Sequence, residues 1–310
     1  MSYSMILAGD AGTGKTIGAL SSFPNYRFIG PKESSASFRS LYKEQIVTPK
    51  PNVVTDIQGA YNKYKQFVDI YETTPVAGVI IDDWSILSEN LTLQLQTSGG
   101  CNVWEALKVY NNVALNLAEL IVNAPFDTIV IGHTMPTKSM VSDKGAKIEI
   151  PGTLKSPGWV VPSAVPSRLG MFLRVLSYDA SESGFGMSRE ADGTYIVKDR
   201  YNITPAYATV PINFRELLIK AGKTVPLGEQ FTWLDDYLGK GIEFLLAGSG
   251  SMTTVSKHLM AIHGDKHPSI YRFAEQHLID RVLITQAYKK SNAMIAQRRA
   301  KIIKLEADQF

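Results

Sequence analysis

The stretch Met5-Ile-Leu-Ala-Gly9-Asp10-Ala11-Gly12-Thr13-Gly14-Lys15-Thr16 constrains this chain more than any other. Apolar residues run into a glycine-rich turn, and Ile17-Gly18-Ala19-Leu20 then opens a helix. The spacing of Gly9, Gly14, Lys15 and Thr16 satisfies the phosphate-binding pattern G-x-x-x-x-G-K-[ST]. Glycines let the backbone curl until successive N–H groups converge on one anion. The following helix adds the positive end of its dipole. In that frame Lys15 reaches the β/γ-phosphates of a nucleotide and the Thr16 hydroxyl ligates Mg²⁺. Gly9 to Thr16 are thus the expected nucleotide-binding residues, with ATP and Mg²⁺ as the expected ligands.

A second acidic landmark follows. Val76-Ala-Gly-Val79-Ile80-Ile81-Asp82-Asp83 reads as a central parallel strand that ends in acid. This is also the Walker B arrangement, in which Asp82 holds the Mg²⁺ shell and Asp83 shares or replaces it. Between the two landmarks, Tyr26–Gly30 reads as a short strand ending in Pro31-Lys32-Glu33. A carboxylate just past a strand tip is where an ATPase places a general base, and an ordinary solvated turn residue occupies the same place. Asp127–Thr134 gives another buried strand whose tip carries His133 and Thr134, either a γ-phosphate sensor or ordinary satisfied polar residues at a strand end.

Residues 135–167 change character. Lys138, Lys144, Lys147 and Lys155 are spread through a Gly-, Pro- and Ser-rich segment, with a hairpin tip expected at Ser142–Gly145. Such a basic loop is a candidate for nucleic-acid phosphates. Trp159 is either a base-stacking residue or, as the sequence by itself favours, a core residue. Ser167–Ser177 reads as strand. Thr194–Arg200 reads as a strand ending in Lys198 and Arg200, two residues apart and so on one face. Pro211–Lys220 reads as a short helix, and Gly248–Thr254 as a linker or a helix start. Val255–Phe310 reads as largely helical, and from Ser251 onward ten Lys/Arg stand against five Asp/Glu, so this tail alone exceeds the net charge of +3 of the whole chain. It is either a nucleic-acid helix or a solvated face whose Ile295, Ile302, Ile303 and Leu305 pack on a protein partner. The histidines His258, His263, His267 and His277 match no zinc spacing.

Taken together, the motif order resembles the RecA-like ATPase core, and within it the phage nucleotide-binding ATPases that include the single-strand annealing proteins of the Sak-four group. The likeness covers about residues 1–220. It rests on the loop, on Lys32-Glu33-Ser34-Ser35, on Ile131-Gly-His133-Thr134 and on Ile196-Val-Lys198-Asp-Arg200-Tyr. The resemblance implies an α/β fold with a mostly parallel sheet; the C-terminal helical extension beyond residue 245 lies outside the likeness and is read from the chain itself. It implies Glu33 as catalytic carboxylate, Asp82 as Walker B acid, His133 as sensor, and Lys198 and Arg200 as fingers acting across a subunit interface. A ring or filament of copies acting on single-stranded DNA follows from that, in the host cytoplasm of a phage. Asp83-Trp84 departs from the small residues usual after the Walker B acid.

The expected division is an ATPase domain over 1–245 and a basic helical extension over 246–310. Motor or helicase-type ATPases share such a core, and a non-enzymatic nucleotide-switched scaffold remains a third class. With 45% apolar and 20% charged residues the composition is that of an ordinary globular chain. No apolar run approaches the roughly 18–20 residues of a membrane span. The first strand begins too early to leave room for a signal peptide, and Cys101, the single cysteine, precludes an internal disulfide. Both features lead to the expectation of a cytoplasmic protein without membrane partners.

Overall fold

The computed structural model describes residues 2–43, 46–47, 50–136, 138–141, 147–177, 185–189, 195, 197–223, 233–246, 257 and 268–307. Its centre is a nine-stranded sheet. The strands are β1 (Ser4–Ala8), β2 (Arg27–Gly30), β3 (Asn52–Val53), β4 (Gly78–Ile81), β5 (Asp127–Gly132), β10 (Met171–Ser177), β11 (Phe185–Ser188), β12 (Lys198–Asp199) and β13 (Val210–Pro211). They lie in the order β13-β11-β10-β1-β5-β4-β2-β3, with β12 paired to β10. From β3 to β10 every pairing is parallel; β11, β12 and β13 pair antiparallel.

Alternation along each strand builds a core on both faces. Ile6, Ala8, Val79, Ile81, Val130 and Phe172 face one side. There they meet α3 (Ile57–Asp69), α4 (Trp84–Thr97), α5 (Val103–Asn123) and α6 (Val160–Arg168). Met5, Leu7, Ile80, Ile129, Ile131, Met171 and Leu173 face the other. That side is covered by α1 (Lys15–Ser22), α2 (Ser35–Lys43), α7 (Phe214–Lys220) and part of α9 (Pro268–Ala307). A smaller cluster joins α8 (Leu234–Leu246) to α9 through Leu234, Tyr237, Leu238, Phe273 and Leu278.

An insertion follows β5. Strands β6 (Thr134–Met135) and β9 (Thr153–Leu154) pair at its root. Beyond them β7 (Lys138–Val141) and β8 (Lys147–Ile150) form an antiparallel hairpin in which Lys138 faces Ile150 and Val141 faces Lys147. The expected tip, with Lys144, lies outside the described residues. So do the linker at 248–254 and His258, His263 and His267.

Three expectations are corrected. Trp159 is not a core residue; it is 56% exposed at the start of α6. Ser167 and Arg168 belong to α6, and the strand starts only at Met171, because Leu169-Gly170 turns the chain back. The strand expected over 194–200 is confined, among the described residues, to Lys198–Asp199, with Tyr195 held by an isolated bridge to Gly152. The end of the expected ATPase domain falls in α8. Beyond it, Ile284 and Ala287 of α9 are buried in the same core as β1. No described helix is long and apolar enough to cross a membrane.

Candidate functional site

Register sets the site. Ala8 lies beside Gly132, and Ile81 beside Val130, so the ends of β1, β5 and β4 share one edge of the sheet. Onto that edge come the loop after β1, Asp82 and Asp83 after β4, and His133 after β5. Gly12 and Gly14 have φ of 76° and 73°, which a side chain would strain. This is how the loop turns its amides inward. Gly14 caps α1 without offering a side-chain acceptor. In contrast α3, α4, α5 and α7 are capped by Asp56, Asp83, Asn102 and Asn213. The first amides of α1 are thus left for an anion.

Lys15 is buried and folded over the loop. Its ammonium donates to Gly9 O at 3.0 Å, Asp10 O at 2.6 Å and Thr13 Oγ1 at 3.2 Å. Burial lowers its pKa, opposed by the carboxylates of Asp83, Asp82 and Asp10. Thr16 Oγ1 donates to Asp82 Oδ2 at 2.6 Å. Asp82 is buried, and burial pushes its carboxyl up to about 7 although Thr16 and Lys15 pull the other way. A hydroxyl and a carboxylate in contact beside an anion nest are hard oxygen donors of the kind Mg²⁺ takes together with phosphate oxygens. Lys15 and His133 only partly offset the burial, so the raised carboxyl leaves room for the further positive charge that the ion would bring. Thr16 and Asp82 therefore fit the ion.

His133 and Asp83 form a pair that the sequence did not join. His133 Nε2 stands 2.9 Å from Asp83 Oδ2, and this hydrogen bond raises the imidazole pKa against burial. The other oxygen of Asp83 accepts from Ser85 N at 2.7 Å and so caps α4. Ser85 Oγ accepts from His133 N and donates to Lys155 O. Lys155 N donates to His133 O, and its ammonium pairs with Glu89 at 2.8 Å. The root of the basic insertion is thereby tied to the site.

Asp10, Ala11, His133 and Thr134 line a cleft of about 710 Å³, to whose wall Glu89 and Lys155 also contribute. A second cleft of about 340 Å³ lies between the loop and the end of β10, where the Arg174 guanidinium sits 3.9 Å from the centre of the Tyr195 ring. The sequence pointed to neither Glu89 nor this pair. The only available signal for Arg174 was a charged residue inside an apolar strand.

The other expected residues stand apart. Glu33 is exposed in the turn after β2 and makes no hydrogen bond or ion pair among the described residues. It lies at the same sheet edge, because β2 pairs with β4. Lys198 and Arg200 sit at the opposite edge. Lys198 lies beside Phe172, and Arg200 N donates to Gly170 O. The Lys198 ammonium spends all three donors on Pro166 O, Ser167 O and Leu169 O. Burial, and then the Arg200 charge, lower it to about 8. Arg200 also donates to Ser167 O at 3.1 Å. Both cations close the C-terminus of α6. Lys138 and Lys147 are placed by their backbone in the hairpin. Among the described residues no group of three His, Cys, Asp or Glu could hold a metal alone. No protein-family model matches the chain, and no curated protein matches it.

Proposed function

We propose that the chain is a Mg²⁺-dependent ATPase of RecA-like type that acts on single-stranded DNA. The observation that carries this reading is the contact of Thr16 with Asp82 at 2.6 Å beneath a glycine loop already closed by Lys15. The order of the strands supports it as well: β5 separates the loop strand from the Asp82 strand, so His133 at its tip stands between the nest and the acid. Loop amides and Lys15 hold the phosphates. When bound, Mg²⁺ neutralises charge on the β- and γ-oxygens. Asp83 orients His133 toward the cleft, where the imidazole can position water or report the γ-phosphate. Glu33 is the second candidate for activating water and requires its turn to fold over the site.

In this proposal copies assemble, Lys198 and Arg200 act on a neighbour, and the basic insertion meets DNA. Steady-state ATPase rate measured against protein concentration, with and without single-stranded DNA, tests it. The expected result is a rate per subunit that climbs with concentration and again with DNA, and that Lys15→Ala abolishes. Turnover at full rate by the dilute monomer, indifferent to DNA, overturns the assembly and the nucleic-acid role. One observation favours a second reading, the nucleotide-switched scaffold: Lys198 has all three donors, and Arg200 one, already committed to the end of α6. Tight ATP binding without turnover at any concentration selects that reading.

A further inference from the structure

The second cleft, of about 340 Å³, brings the loop together with a cation that the sequence did not single out. Asp10, Gly12 and Thr13 line it from the loop, and Arg174 and Tyr195 line it beside the end of β10. Among the described residues that line it, Arg174 is the one cation. Asp10 adds a carboxylate, whose Oδ1 accepts from Thr134 Oγ1 at 3.2 Å. A phosphate chain seated on the loop meets that carboxylate as a like charge, and a cation in the same cleft offsets it.

The sheet sets how near Arg174 stands to the loop. Ala8, the last residue of β1, pairs with Arg174 on β10, and neighbouring strands run about 4.8 Å apart. Gly9 then opens the loop directly against β10, where a Cβ would stand 2.8 Å from Val175 O and 2.9 Å from Val175 Cβ. Phe172 and Ala8 belong to the core face covered by α3 to α6. Arg174, two residues after Phe172, leaves the strand on that same face.

The guanidinium is held in place. It lies 3.9 Å from the centre of the Tyr195 ring. The ring is itself pinned at the foot of the insertion by the bridge to Gly152, where a Cβ would collide with Cε1 and Cδ1. A cation–π stack uses the face of the guanidinium, whereas its N–H donors lie in the plane and serve several partners at once.

We infer that Arg174 is a catalytic cation of the ATPase, acting in cis on the γ-phosphate, and that Tyr195 is its positioning residue. The inference rests on the ATPase reading above and adds a residue to that site. Water attacks the γ-phosphorus as the bond to the bridging oxygen breaks, and ADP, phosphate and a proton result. Charge grows on the bridging oxygen and stays spread over the γ-oxygens, where a planar fork already in place stabilises it. Lys198 and Arg200 would have to come from a neighbour, whereas Arg174 is built into the sheet that carries the loop.

The test uses the full chain. Single-turnover hydrolysis is measured, and calorimetry separately follows binding of Mg²⁺–ADP with and without fluoroaluminate, a mimic of the transferring phosphoryl group. Arg174→Ala should slow hydrolysis about a hundredfold to a thousandfold. It should keep its affinity for ADP and lose the gain that fluoroaluminate gives the parent. Tyr195→Ala should show the same selective loss in weaker form, and Tyr195→Phe, which keeps the ring, should behave as the parent. Arg174→Ala mixed with Lys15→Ala, whose own loop is disabled but whose Arg174 is intact, should stay inactive. Recovery in that mixture overturns the action in cis. Turnover by Arg174→Ala at the parent's rate, or equal loss of affinity for ADP and for its fluoroaluminate complex, overturns the catalytic role. Where Arg174→Ala does not fold, the two Tyr195 variants read the same split, and identical behaviour of the two overturns the inference. A parent chain that binds ATP and never hydrolyses it overturns the ATPase reading itself, and the inference with it.

Discussion

At the scale of single residues, Asp82 carries the sharpest consequence. Its carboxyl is held at about 7 by burial, yet Mg²⁺ takes only the ionised form. Affinity for Mg²⁺–ATP should therefore weaken as pH falls below about 7, approaching tenfold per pH unit. Metal-free ATP should not follow that window. Calorimetric titration at pH 8, 7 and 6, with and without Mg²⁺, checks this, and Asp82→Asn should flatten the profile. The folding sign is the reverse of that for a salt-bridged acid: the neutral form is favoured, so metal-free stability declines as pH rises from 3.8 to about 7. A second outcome separates the two bases. Glu33→Gln in its exposed turn should leave ATP affinity unchanged. Asp83→Asn removes the acceptor of His133 and should cost turnover by about a hundredfold, within the range of general acid–base effects. Single-turnover hydrolysis decides between them, and loss of turnover in Glu33→Gln alone would return the role to Glu33.

At the scale of elements, two polar clusters fix the outlying helices. Lys198 and Arg200 satisfy carbonyls that the end of α6 would otherwise leave bare. Lys198→Met should therefore lower stability by about 1–3 kcal/mol in urea denaturation. A pure finger role would instead leave stability untouched and allow rescue by wild-type neighbours. The other cluster anchors α9. Burial would raise the Glu216 carboxyl, but hydrogen bonds from His277 and Arg281 outweigh it and hold the group at about 2, against 4.5 for a free one. His277 also reaches Ser21 O at the end of α1. The depressed pKa means that this stabilisation is complete above pH 4.5 and is lost as pH falls toward 2. Its size is about 3 kcal/mol. Denaturation midpoints that fall across that window, with a flatter fall in Glu216→Gln, are the expected result. These elements also show what periodicity could reveal. The strands β1, β4 and β5 were legible because continuous apolar runs buried on two faces have few other solutions. Hairpin β7–β8 was legible from its composition. The α6 segment was not, because Pro162 and Pro166 mask a helix, and its end is satisfied by cations thirty residues away in sequence. Trp159 was misplaced for a related reason: an indole's burial depends on which neighbours return to cover it, and no local pattern encodes that.

At the scale of the whole molecule, the question is what the long last helix does once it leaves the body. Its first half belongs to the core, with Phe273, Ala274, Leu278, Ile284 and Ala287 buried. Ser291 is the last buried position described, and its hydroxyl accepts from Ala206 N. Beyond it, residues 292–301 are exposed or half-exposed. One described contact returns to the body, where Arg298 donates to Tyr207 Oη at 2.8 Å and lies 4.2 Å from the ring centre. A cation–π contact at an exposed site is worth about 1 kcal/mol. Ending the chain after Ser291 should therefore shift the melting temperature by only about 2 °C. ATP affinity should be retained, because Lys15, Thr16 and Asp82 lie at the far edge of an intact sheet. The same cut removes Arg298, Arg299, Lys301 and Lys304. If these meet nucleic-acid phosphates, the slope of log affinity against log salt flattens by up to about 3 for a single strand, at about 0.7 per phosphate contact. If they meet protein, that slope stays fixed and the rise of ATPase rate with concentration is lost instead. The two slopes, measured on the same truncated chain, assign the tail to one class of partner.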